Sequence, residues 1–389
     1  MDGLASDGLA AALSCHLTIL FEFPTLNGGE HSMLAVLEHL SGIQEFTFTA
    51  IAPAEGPLAD ELHRIGTSII PWCVRSADGA RRPPAELAAD LSQLLTDQHV
   101  DILHGNSLSM ARFLGKVRDD LPNVQCTGHI RDIMSLSAKA IDDLNHLDGI
   151  VAVSAATRDA YTSRGLSAAL ATVIHNGVDV DFFRARSRSA ARKELLPSLP
   201  LNCRVLLNVG QICLRKGQLD LAQAAVRLLQ DRDDLHLVLV GERHSAKAES
   251  IAYEQAIIDA FVQNGLQNHL HRPGYCRNVA QWMNAADLLV HVARQEPLGR
   301  VLLEAAASEL PIVATDVGGT SEIITSQESA WLVPPADVDT LTDCLTTALS
   351  QSDVARQHAR RATERVRHSF LVPTAAEALM RFWKTLGTT

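Results

Sequence analysis

The chain has 389 residues, and at roughly 100 to 200 residues per domain this length implies two or three domains, each with its own core. Hydrophobic residues make up 47% and charged residues 20%, which excludes a disordered chain. A formal net charge of −11 argues against general affinity for nucleic acid, whose phosphates are bound by Lys and Arg.

Short β-branched runs predict strands at His16–Phe23, Phe46–Ile51, Ser68–Pro71, Asp101–His104, Val124–Thr127, Gly149–Val153 and Thr172–Ile174. Amphipathic segments predict helices over Glu30–Leu40, Pro84–Leu95, Leu108–Arg118 and Ala155–Arg164. This alternation is the pattern of βαβ units and parallel sheets. After Ile174 the unit changes: Arg184–Asn202 is basic, polar and proline-containing, and reads as an interdomain connection. A second series of strands is expected at Arg204–Val209, Leu235–Val240, Asn268–His271, Leu288–His291, Ile312–Thr315 and Trp331–Val333. Helices separate these runs again, and long helices from Thr340 onward are expected to pack back across the first domain. The expected architecture is α/β, with Rossmann-like domains at 1–184 and 185–367 and a terminal helix at 368–389.

Apolar runs such as Leu17–Phe23 and Leu235–Val240 are strand-sized, far short of a bilayer span. The amino terminus lacks the cationic region and cleavage pattern of a signal peptide. A cytoplasmic location is expected, compatible with peripheral attachment to the inner membrane face through a basic patch assembled in three dimensions. Cys15, Cys73, Cys126, Cys203, Cys213, Cys276 and Cys344 are odd in number and form no CxxC. They are expected to be reduced and mostly buried, without zinc or disulfides.

Four segments carry chemistry. Pro24–Glu30 (PTLNGGE) follows the first strand, and Gly28 and Gly29 can bring main-chain N–H groups and a helix N-terminus to a phosphate; a plain tight turn is the alternative. The GxGxxG nicotinamide fingerprint is missing there. Gly210 ends the first strand of the second series, and Arg215 and Lys216 follow at a helix start, where the dipole disfavours cations. A bound anion between them, or a solvated pair, accounts for that placement. In His291–Ala307 (HVARQEPLGRVLLEAAA), Glu296 belongs to a loop after a strand, while Glu304 stands inside an apolar helix. A carboxylate there needs partners: two ribose hydroxyls, or Arg300 one turn earlier. Asp316–Glu322 again sets glycines, Gly318 and Gly319, between a strand and a short helix, and Glu309 sits at a helix end against the dipole.

His104 and His129 lie at strand ends, and His175 begins a turn-like HNGVD string. His129 is the best placed to meet a sugar hydroxyl, with a structural role as the alternative. No His/Asp/Cys cluster has metal-ligand spacing, and no GxSxG elbow is present.

Together, the Glu296-x7-Glu304 pair, PLGRVLLEA, IVATDVGG, NGVD at Asn176–Asp179 and the VGQICLRKG loop resemble the retaining glycosyltransferases of family 4, over nearly the whole chain. The resemblance implies a GT-B fold, with two Rossmann-like domains facing each other across a deep cleft. It implies that Glu304 holds the donor ribose and that Glu296 contacts the transferred sugar. Arg215 and Lys216 would stabilise the diphosphate as charge grows on it, with an N–H of Gly29 opposite. The resemblance also brings His129 to the donor sugar, the Arg272–Tyr275 loop to the base, and Gly28, Gly210, Leu298 and Gly299 into the donor site. It implies front-face substitution with retention, no protein nucleophile, no metal and no cofactor, with the NDP-sugar as substrate. Two positions depart from the family pattern: Gln211 stands where an Arg is common, and Glu309 replaces a usual glycine.

The resulting expectation is transfer of a hexose from a UDP- or GDP-sugar to a hydroxyl of a glycan, lipid-linked or small-molecule acceptor. An epimerase or phosphorylase-like enzyme of the same architecture competes with it, as does a nucleotide-sugar binding protein without turnover. The acceptor is expected at Pro53–Pro57, Trp72–Pro84 and Arg131–Ser137, where Arg75, Arg81 and Arg82 could meet an acidic group or remain solvated.

Overall fold

The computed structural model describes residues 15–43, 46–96 and 98–387. The expectation about a signal peptide and the outermost ends of the first and last expected segments fall outside them. The first half runs β1 (Cys15–Leu20), α1 (Gly28–Leu40), β2 (Phe46–Ala52), α2 (Pro57–Arg64), β3 (Ser68–Pro71), α3 (Pro84–Thr96), β4 (Ile102–Gly105), α4 (Leu108–Lys116), β5 (Gln125–Ile130), α5 (Ala138–Asn145), β6 (Gly149–Ala152), α6 (Ala155–Thr162) and β7 (Ala171–Val173). The second runs α7 (Arg188–Leu195), β8 (Arg204–Val209), α8 (Gln218–Leu228), β9 (Leu235–Val240), α9 (Ala248–Val262), β10 (Leu270–Gly274), α10 (Val279–Ala285), β11 (Leu288–His291), α11 (Arg300–Ala307), β12 (Ile312–Thr315), α12 (Thr320–Ile323) and β13 (Trp331–Val333). Helices α13 (Val338–Ser350), α14 (Ser352–Ser369) and α15 (Val372–Gly387) follow.

Each series closes into one parallel sheet, ordered β3-β2-β1-β4-β5-β6-β7 and β10-β9-β8-β11-β12-β13. Central strands are apolar on both faces because helices cover both sides; all six residues of β9 are buried. Chain direction across the sheet reverses between β1 and β4 and between β8 and β11. At such switch points the loops leaving the carboxyl ends of two adjacent strands part and open a crevice.

The segment read as a connection, Arg184–Asn202, contains α7, which belongs to the second unit. Arg192 is buried there, donating to the carbonyls of Ala285 (2.8 Å), Leu201 and Cys203 (both 2.9 Å) and pairing with Asp287. Strand β10 begins later than expected because Gln267–His269 forms a 3₁₀ turn. Helix α15 returns to the first unit, where Trp383 is fully buried among Leu17, Ile19 and Ile102. All seven cysteines are free thiols, but only Cys126 and Cys203 are buried and Cys73 is exposed, which corrects the expectation of general burial. Among the described residues no helix is long and apolar enough to cross a membrane.

Candidate active site

The switch point of the second sheet brings together residues far apart in sequence. Gly210 follows β8, and a 3₁₀ turn over Leu214–Lys216 precedes Gly217, the N-cap of α8. Lys216 Nζ reaches Glu296 Oε2 at 2.5 Å. His291, the last residue of β11, has its Nε2 2.8 Å from the same oxygen. Burial acts to raise the Glu296 carboxyl, but Lys216 and His291 outweigh it and hold the group well below the usual carboxylate range. Burial lowers His291, so its neutral ring gives Nε2–H to the carboxylate. Arg215 Nη1 donates to the Gln295 carbonyl at 3.3 Å, and the Arg215 carbonyl accepts from the Arg294 N–H at 2.8 Å. Both cations are therefore tied to the loop that carries Glu296.

Buried Leu298 and left-handed Gly299 lead from that loop into α11. Glu304 is buried on α11 and pairs with Arg300, whose Nη2 and Nε donate to Glu304 Oε1 at 2.6 and 3.0 Å. The intrahelical pair anticipated from the sequence is thus made, but it engages one oxygen. No hydrogen bond among the described residues reaches Oε2. Arg300 Nη1 also donates to the Gly28 carbonyl at 3.3 Å, bridging the two units.

Opposite, Gly28 and Gly29 are the first two residues of α1, and Glu30 accepts from the Asn27 N–H at 3.0 Å. A β-carbon on Gly29 would lie 2.8 Å from Arg131 Cδ, so only glycine lets this arginine lie against the helix start. Arg131 Nη2 donates to Asn106 Oδ1 at 2.9 Å and to His129 Nδ1 at 3.0 Å, and Nη1 donates to Asn176 Oδ1 at 2.9 Å. Burial lowers Arg131 to about 10, which leaves it charged. A guanidinium only donates, so His129 Nδ1 accepts and the ring proton resides on Nε2. Burial, with Arg131 and His104 adding to it, holds His129 neutral, and its buried Nε2 has no partner among the described residues.

Of the other candidates, His104 packs edge-on against His129 with ring centroids 5.6 Å apart, whereas Arg272 and Tyr275 take no part in this group. His104, pushed down by burial to about 3, has Nδ1 2.8 Å from Thr127 Oγ1 and accepts from Trp383 Nε1 at 3.4 Å, a structural role. Arg272 is committed to Glu254, whose other oxygen accepts from Arg243 Nε at 2.8 Å. Tyr275 stands 53% exposed after β10. No group of three or more His, Cys, Asp or Glu side chains is placed to hold a metal ion among the described residues.

Residues 26–182 match the family described as Glycosyltransferase Family 4, and residues 203–351 match Glycosyl transferases group 1. Together the two matches span most of the chain, which belongs to the family 4/group 1 glycosyltransferases. It is 25% identical over 217 residues to the lipopolysaccharide core biosynthesis mannosyltransferase LpsB of Rhizobium meliloti, covering 55% of this chain and 61% of that protein. It is 31% identical over 169 residues to a D-inositol 3-phosphate glycosyltransferase of Thermobispora bispora, covering 43% and 39% respectively. The matched stretch is thus less than two thirds of the length of either relative. The crystal structure of Anabaena HepE in complex with UDP-glucose shares the fold, with a TM-score of 0.83 at 20% identity over 95% of this chain and 99% of that one.

In this group 1 glycosyltransferase several site neighbours escaped sequence reading. Glu22, just after β1, is buried, and its Oε1 accepts from Arg81 Nη1 and Ser109 Oγ, both at 3.0 Å, while Oε2 accepts from Ser107 Oγ at 3.4 Å. An acidic residue in the apolar run Leu17–Phe23 was the available signal. His291 left a weaker one, as a histidine ending a buried strand. Arg131 left none, since its partners Asn106 and Asn176 lie 25 and 45 residues away.

Proposed function

We propose that this protein is a retaining glycosyltransferase that moves a hexose from a UDP- or GDP-sugar to a hydroxyl acceptor. The observation that carries the reading is Glu296, an anion fixed by Lys216 and His291 in the loop just ahead of the helix that carries Arg300 and Glu304, across from Gly28, Gly29 and His129. Donor binding assigns Glu304 Oε2 to a ribose hydroxyl and the remaining Lys216 and Arg215 N–H groups to the diphosphate, with the Gly28 and Gly29 N–H groups at the α1 terminus facing it. The neutral His129 gives its Nε2–H to a sugar oxygen, and Glu296 accepts a hydroxyl of the same ring. The Arg272–Tyr275 main chain and Gly210 border the nucleotide.

The acceptor oxygen attacks the anomeric carbon on the face the diphosphate leaves. The carbon–oxygen bond to phosphate breaks with its electron pair on the diphosphate, and the acceptor proton passes to that oxygen. The cations and amides lower the barrier because they are already aimed where charge accumulates. In this reading 1–184 forms the acceptor side, with Glu22, Ser107 and Ser109 at its switch point presenting a polar floor to a polyhydroxylated acceptor. Residues 185–367 form the donor side and 368–389 a brace. The free thiols support a cytoplasmic location.

The test is a thermal-shift screen against UDP-, GDP- and ADP-sugars with their parent nucleotides, followed by transfer assays. A ligand at 100 times its Kd raises stability by about 2.7 kcal/mol. The expected outcome is a selective shift with one nucleotide, which Glu304→Ala and Lys216→Ala each reduce at least tenfold in affinity or turnover while leaving the unliganded fold intact. Undiminished transfer in both variants would remove the assigned site.

A further inference from the structure

Outside the donor group, a second polar cluster ties the two units together. Ala155 and Ala156, the first two residues of α6, donate their N–H groups to Glu322 Oε2 and Oε1, each at 2.9 Å. The third N–H of that helix, from Thr157, goes to Ser154 Oγ at 2.9 Å. A helix start ordinarily depends on its own N-cap residue and water. Here a carboxylate from α12 takes two of the N–H groups with charge-assisted bonds, at the end of the dipole that favours an anion. Glu322 Oε2 also lies 2.8 Å from His175 Nε2, on the segment that leaves the first sheet for the second unit.

This joint continues into the loop that carries Glu296. Ser154 Oγ donates to the Pro297 carbonyl at 2.5 Å, and Thr157 Oγ1 donates to it at 3.3 Å. The Glu296 carbonyl accepts from the Gly319 N–H at 3.0 Å. Gly318 has φ of 54°, and a β-carbon on it would fall 1.9 Å from that Glu296 carbonyl. The turn before Glu322 therefore lies flat on the Glu296–Pro297 backbone. From the other side, α6 grips the next carbonyl.

We propose that Glu322, with Ser154 and His175, is a positioning residue for sugar transfer: by capping α6 across the domain joint it fixes the Glu296 loop of the second unit relative to His129 of the first. The role rests on the glycosyltransferase reading above. Glu322 touches neither donor nor acceptor, so its removal alters the alignment of reacting groups and leaves the nucleotide's contacts in the second unit in place.

The experiment compares wild type with Glu322→Ala, Glu322→Gln and Ser154→Ala by three readouts: amide hydrogen exchange at Ala155 and Ala156, nucleotide affinity, and the kinetics of transfer. In Glu322→Ala, exchange at those two amides should accelerate at least tenfold, nucleotide affinity should stay within twofold, and kcat should fall at least tenfold with donor KM little changed. Glu322→Gln, which keeps one acceptor oxygen and the side-chain shape, should recover part of kcat, and it serves as the folded control if the alanine variant is unstable. Unchanged exchange would show that the cap is not made in solution; accelerated exchange with kcat within twofold would reduce the joint to scaffolding. Either result overturns the proposal. A wild-type protein that turns over no nucleotide sugar would overturn the transferase reading and the positioning role with it, and exchange at Ala155 and Ala156 would still report separately on the joint.

Discussion

Two glutamates of α11 and its flanks illustrate how local backbone and distant charge act on one residue type. Glu296 is held as an anion by Lys216 from a 3₁₀ turn and His291 from the end of β11, and a buried carboxylate stripped of one partner would lose most of its reason to remain ionised. Glu309 faces a different demand. Helix α11 ends in a Schellman turn, with the Leu310 N–H bonded to the Ala305 carbonyl at 3.0 Å and the Glu309 N–H to the Ala306 carbonyl at 3.1 Å. That geometry puts Glu309 at φ of 54°, a left-handed conformation in which a β-carbon is strained. The departure from the family's glycine is therefore a stability cost, and no hydrogen bond among the described residues links its side chain to the paired glutamates. Glu309→Gly should raise unfolding free energy by about 1 kcal/mol, the usual scale of the left-handed penalty. Chemical denaturation would measure it, and a destabilised glycine variant would refute this account of the turn.

At the scale of elements, the strands were legible because parallel sheets buried on both faces need uninterrupted apolar runs, and these stand out against polar helices. Arg204–Val209, Leu235–Val240, Leu288–His291, Ile312–Thr315 and Trp331–Val333 match β8, β9, β11, β12 and β13 residue for residue. Helix α7 was not legible, since its anchor is Arg192, a polar residue made buriable by carbonyls and a carboxylate up to 95 residues away. The Glu296–Glu304 spacing was legible, but Arg131 and Glu322 were not, because their meaning lies wholly in long-range partners. Helix α15 joins both kinds of signal. Its apolar face shows in the sequence, whereas its docking site does not: Trp383 is fully buried and donates to His104. Trp383→Ala should cost about 3–5 kcal/mol, the range for emptying a large aromatic from a core. Trp383→Phe should cost less, retaining most of the packing and losing the bond to His104. Equal losses in the two variants would show that the hydrogen bond, and not the packing, holds the helix.

Across the whole molecule, burial of histidines sets a pH dependence that is separate from the proposed chemistry. His104 is pushed down to about 3 and His236 to about 4, in each case chiefly by burial. In the unfolded chain these rings titrate near 6.5. Between those values the unfolded state binds protons that the native state refuses, so stability is fully present above about pH 6.5 and is lost as pH falls toward the native values. At pH 5, His104 alone should cost about 2 kcal/mol, from roughly 1.5 units at about 1.4 kcal/mol each. The window above pH 4.5 isolates this effect, because carboxylates with lowered native values, such as Glu296, begin to matter only below it. Urea unfolding at pH 7.5, 6.0 and 5.0 should therefore show a falling free energy, with net proton uptake on unfolding between pH 6 and 5. Replacing the more peripheral His236 by Gln should flatten that slope without touching the cleft. A wild-type stability that stays level to pH 5 would mean that these rings take up protons in the folded protein, and that the packing around His104 opens far more readily than its complete burial implies.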